Sequence, residues 1–153
     1  MKKLAILTFL VGFIFAYSYR DLCKKLPNTV YEYKATSGCE GMDMSFNDIT
    51  SSQASKEYAS SDKTLEVMIV KGSFAMQYLP LISQNVSVTT NDTKLYTTNI
   101  NGKKAVFNVD LHSKTVQLAI LTDEKTPELL IINLNGGNEK EAERIAKEIL
   151  AKF

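Results

Sequence analysis

Soft ligands crowd one short stretch of the chain, Gly38-Cys39-Glu40-Gly41-Met42-Asp43-Met44. A thiolate at Cys39 and thioethers at Met42 and Met44 suit Cu(I), and His112, the only histidine, could add an imidazole. The same residues also support a structural reading. Cys23 lies sixteen residues before Cys39, and a bridge between them would consume the thiol. The chain-entropy model gives a loop of that size roughly 3 kcal/mol of stabilisation. Met42, Met44 and Phe46 alternate with Asp43, Ser45 and Asn47, the period of a strand with one buried face. Methionine also fills irregular cores well, so the pair is expected to face the core. The structural expectation is a Cys23–Cys39 disulfide; Met42, Met44 and His112 are the alternative metal site.

Catalysis finds less support. His112 sits in the turn-like Asp110-Leu111-His112-Ser113, whereas a general base needs a nucleophile within reach and a group that orients it. There is no G-x-S-x-G, no H-E-x-x-H and no phosphate-binding glycine loop. We expect no enzymatic activity and no cofactor. A further surface is carried by residues 72–82, GSFAMQYLPLI, where Phe74, Met76, Tyr78 and Leu79 are too dense for a clean helical stripe. Such a segment packs as a buried helix on a sheet, or stays exposed as a patch for an unidentified protein or a small apolar ligand.

The N-terminus says where such a protein works. Lys2 and Lys3 precede an apolar run over residues 4–16, too short for a membrane helix and of the form of a bacterial Sec-type signal peptide. Ala16 and Ser18 place a cleavage site before Tyr19, with a cut after Ala16 as the alternative. Removal of residues 1–18 leaves 16 basic against 17 acidic residues, because Lys2 and Lys3 leave the original 18. A charge so near balance offers no grip on nucleic acid or an anionic membrane. The mature chain is expected in the periplasm or secreted, with no integral membrane segment, where a disulfide persists. Residues 19–153 have the length of one domain and contain no repeat or long linker.

Periodicity assigns the elements that must hold these residues. A short helix over 19–26 ends at Pro27. Strands follow at 42–47, 51–58 and 64–70, the last with apolar residues on both faces. Asn101-Gly102 favours a tight hairpin between strands at 95–100 and 104–109, and strands at 115–122 and 129–134 complete an antiparallel meander. Asn138, with Glu141 three residues on, opens an amphipathic helix whose stripe is Ala142, Ile145, Ala146, Ile149, Leu150 and Phe153.

The segments KKLP (24–27), SKEYASSDKTLEVMIVKG (55–72), INGKKAVFNVD (100–110) and EAERIAKEI (141–149) together resemble small exported bacterial proteins of uncharacterised function. Their order of elements is similar to the PsbP-like α/β/α sandwich. The resemblance implies an α+β fold, an antiparallel β-sheet of about six strands flanked by helices with a long C-terminal amphipathic helix. It carries over no catalytic residue. The expectation is therefore a periplasmic or secreted non-enzymatic accessory or binding domain, with a copper-binding protein and an apolar-ligand carrier as the alternatives.

Overall fold

The computed structural model describes residues 18–153. The expected signal segment, residues 1–18, lies outside the described residues apart from Ser18. In chain order the elements are α1 (Tyr19–Cys23), β1 (Thr29–Val30), β2 (Tyr33–Ala35), β3 (Glu40–Phe46), β4 (Ile49–Ser60), β5 (Lys63–Gly72), α2 (Ser73–Met76), α3 (Leu79–Ile82), β6 (Ser87–Thr89), β7 (Thr93–Ile100), β8 (Lys103–Asp110), β9 (Thr115–Asp123), β10 (Glu128–Asn135) and α4 (Glu139–Leu150).

Apolar density decides which strands take the centre of the sheet. β10 reads Leu129-Leu130-Ile131-Ile132, all buried, and a strand buried on both faces needs neighbours on both sides and cover above and below. It lies between β5 and β9 in an antiparallel sheet ordered β1-β2-β4-β5-β10-β9-β8-β7-β6, with β3 also paired to β4. β7 to β10 form the expected meander. Asn101 and Gly102 both take positive φ (51° and 78°) in its first tight turn.

Each face carries its own core. On one face α4 lays Ala142, Ile145, Ala146 and Ile149 over Leu118, Ile120, Leu130 and Ile132, and Leu22 and Leu26 extend that layer. On the other, Ala75 and Ile82 of the α2–α3 segment cover Val70, Val106, Leu121, Leu129 and Ile131. The start of α4 is secured as its residues suggest. The Asn138 side chain accepts the Glu141 amide at 3.0 Å, and Glu143 pairs with Lys147 at 3.0 Å one turn on. Tyr33 donates its phenol to Glu141 at 2.5 Å and Tyr96 donates to Glu139, which ties the helix to β2 and β7.

The α+β sandwich with about six strands and a long C-terminal helix does not hold. The described chain is mostly β, with ten strands in one antiparallel sheet and four short helices, and α4 spans 12 residues. β1, β2 and β6 have only two or three residues, too few to display a period; pairing with longer neighbours makes them strands. Phe153 falls outside α4 and is exposed, lying instead against the Lys25 ammonium, 4.4 Å from the ring centroid.

The methionine expectation is corrected too. Met42 (52 % exposed), Met44 (43 %) and Phe46 (70 %) face solvent rather than the core. A period of two shows that they share a face; it does not show that the face is covered. β3 is an edge strand, paired among the described residues with β4 alone, so Met42, Met44 and Phe46 lie at the rim of the sheet, beyond the second core.

Candidate functional site

One side of β4 carries both β2 and β3, end to end, because its other side is occupied by β5. The two segments are interrupted at residues 36–39, and Cys39 stands at that interruption. It is joined to Cys23 at the end of α1, with a Cα–Cα separation of 5.8 Å, as the cysteine pair suggested. The bridge holds α1 against the start of β3. Two contacts continue that attachment on the same face. A Cβ at Gly41 would fall 2.7 Å from Tyr19 Cδ2 and 2.3 Å from the Gln53 carbonyl oxygen, so only glycine admits this approach. Asp43 Oδ1 accepts the Tyr19 amide at 2.7 Å and the hydroxyl of buried Ser52 at 2.6 Å.

The opposite face of β3 is open. Met42 stands across from Gln53, Met44 from Ser51 and Phe46 from Ile49, and cross-strand partners project to the same side. All seven residues of β3 are exposed, as is Ile49. Among the described residues β3 pairs with β4 alone, which leaves its outer edge with unpaired backbone groups. α2 borders this face. The Phe74 amide donates to Ser51 Oγ at 3.0 Å, Ser51 being the strand partner of Met44, and Met76 of the same helix is exposed.

The residues singled out for metal binding divide. Met42 and Met44 share an exposed face, but the Cys39 sulfur is taken by Cys23. His112 lies in the turn between β8 and β9, and β9 is four strand steps from β3, roughly 20 Å at about 4.8 Å per step. Its Nε2 sits 2.5 Å from Asp92 Oδ1 in that exposed turn, while the neighbouring Ser113 hydroxyl meets Thr115 Oγ1 at 3.0 Å. Histidine and serine are thus engaged separately rather than with each other. Among the described residues no group of three or more His, Cys, Asp or Glu side chains could hold a metal ion. In the apolar segment Phe74, Tyr78 and Leu79 pack against the second core, whereas Met76 is exposed.

Two features escape a reading by sequence. Phe46 and Ile49 cap the apolar face of the hairpin, and Ile49 lies in a polar stretch that carries no strong period. The second feature is a polar floor beyond the cover of α2 and α3. Glu57, Glu66, Asn133, Gln117 and Asn108 follow one another in register across five strands, and Gln117 Nε2 donates to Asn133 Oδ1 at 3.0 Å. Shallow clefts of about 310 and 580 Å³ lie along this row. Its trace in the sequence is Gln117 in β9 and Asn133 and Asn135 in β10, amides within largely apolar strands.

Other buried polar groups serve the frame. Glu128 is buried with ion pairs from Lys25 and Lys71, each at 3.3 Å, and a Thr122 hydroxyl donor at 2.8 Å. Burial pushes the Tyr33, Tyr58 and Tyr96 phenols above their ordinary range, and the carboxylates of Glu141 and Glu139 add to this at Tyr33 and Tyr96. Among the described residues no helix is long and apolar enough to cross a membrane. No family model, curated protein or solved structure matches the chain.

Proposed function

We propose that this chain is a non-enzymatic accessory or binding domain that works in the periplasm or outside the cell, and that it grips an extended segment of a partner protein along β3. The observation that carries this is the open edge itself. β3 exposes all seven residues, has β4 as its only strand partner among the described residues, and presents Met42, Met44 and Phe46 in a row beside Ile49. An incoming strand would satisfy the free backbone groups, and its alternate side chains would rest on the thioethers and the Phe46 ring. Methionine suits that task because its flexible, polarisable side chain adapts to different neighbours. A row of exposed apolar side chains on a sheet edge is a liability unless something covers it.

The extracytoplasmic setting is supported by the basic and apolar N-terminal residues and by the Cys23–Cys39 pair. Binding rather than catalysis is supported by the engagement of His112 with Asp92 on the surface, while the neighbouring Ser113 hydroxyl is engaged with Thr115.

A photo-cross-linking residue at Met44, in cells that export the protein, tests the proposal against the same residue at exposed Asn99 on β7. The expected result is a discrete adduct from position 44 alone. It should be lost when Met42→Ser and Phe46→Ser are added, with the thermal midpoint little changed because both side chains lie on the surface. Equal adducts at both positions, or an adduct indifferent to the serine substitutions, would overturn it.

A further inference from the structure

The bond expected to be cut during export lies between Ser18 and Tyr19, and the Tyr19 nitrogen is held by a carboxylate. Asp43 Oδ1 accepts that N–H at 2.7 Å and the Ser52 hydroxyl at 2.6 Å. Ser52 is 2 % exposed, so one donor on this oxygen is fixed by the sheet. We propose that Asp43 is the receptor for the amino terminus that cleavage after Ser18 creates, so that processing converts an amide–carboxylate hydrogen bond into an ion pair between α1 and β3. The inference rests on the export reading above and adds a named site to it.

The chemistry follows from what the cut removes and adds. In the uncut chain the Ser18 carbonyl accepts the amides of Asp21 (3.1 Å) and Leu22 (3.3 Å), and Tyr19 N–H is one of the donors a helix start leaves unpaired. Cleavage takes away that carbonyl and leaves an ammonium at the first residue of α1. A positive charge there opposes the helix dipole, and an Asp43 carboxylate in direct contact offsets it. The surroundings hold the nitrogen at this place. Gly41 admits the Tyr19 side chain, and the Cys23–Cys39 bridge fixes the other end of the helix. Asp43 lies between Met42 and Met44 but on the opposite face, so the ion pair would steady the strand that carries the proposed partner edge.

Two measurements separate this inference from the reading it rests on. Intact mass of the protein recovered from exporting cells tests the export reading. A chain that retains residues 1–18 would refute the removed signal peptide in the export reading, whereas a mature chain starting at any residue other than Tyr19 would overturn the receptor alone. The receptor itself is tested on the chain beginning at Tyr19, released from a removable tag, with a free or Nα-acetylated amine, each with Asp43 or with Asp43→Asn. Acetylation restores a carbonyl for α1 in both backgrounds, and asparagine keeps the hydrogen-bond acceptor while losing the charge. The charge term is therefore read as the difference between backgrounds. Acetylation should be less favourable to the thermal midpoint by ~3 °C when Asp43 is present than in Asp43→Asn. An equal effect of acetylation in the two backgrounds would overturn the proposal.

Discussion

The side chain of Tyr19 occupies the space a side chain at position 41 would need, with Cδ2 2.7 Å and Cβ 2.8 Å from the point where a Gly41 Cβ would stand. The Gln53 carbonyl oxygen is nearer still at 2.3 Å, and backbone cannot swing aside as a flexible side chain can. Gly41→Ala should therefore destabilise the fold by ~1–3 kcal/mol, the usual cost of overpacking. Denaturant unfolding checks the value. Tyr19→Ala in the same chain should return only the part due to the ring, because the clashes with the Gln53 carbonyl and the residue 19 Cβ remain.

The Cys23–Cys39 bridge closes a loop with a sequence separation of 16. Replacing both cysteines by serine should lower stability by roughly 3 kcal/mol in the chain-entropy model. The loss should fall first on α1 and β3, which the bridge joins, while β7 to β10 keep their protection. Amide hydrogen exchange on the double variant resolves the two regions.

Three phenols set an alkaline limit. Tyr33, Tyr58 and Tyr96 have raised pKa values in the folded chain, chiefly through burial. An unfolded chain releases those protons near pH ~10, whereas the folded chain holds them. Their contribution is complete below the unfolded pKa and declines as pH rises above it, so alkaline unfolding should accompany proton release. Tyrosinate absorbance should show these phenols ionising together with the loss of secondary structure. Tyr58→Phe should remove one phenol from that step. It should also cost ~1 kcal/mol at neutral pH, through the lost hydrogen bond to the Pro27 carbonyl.

Much of the second half was legible because each apolar run carries its own period or turn signal. Asn101-Gly102 marks a hairpin, Leu129 to Ile132 mark a central strand, and Asn138 with Glu141 marks the start of α4. The Cys23–Cys39 pair was equally open to reading. Residues 42–46 were assigned the right element and the wrong environment. Alternation reports a shared face, while cover depends on where the strand falls in the sheet, and the edge position of β3 is a property of the whole sheet. The same reason hides the polar floor from Glu57 to Asn108, whose members come from five strands scattered along the chain and meet only through register.

Uptake of a partner strand by β3, as proposed above, is open to direct measurement. Amide hydrogen exchange of the purified protein, with and without the partner identified by cross-linking at Met44, tests it most directly. New protection concentrated in residues 40–46 is expected, with β6 at the other edge and the β8–β9 turn unchanged. Protection that appears elsewhere while residues 40–46 exchange as in the free protein would contradict it.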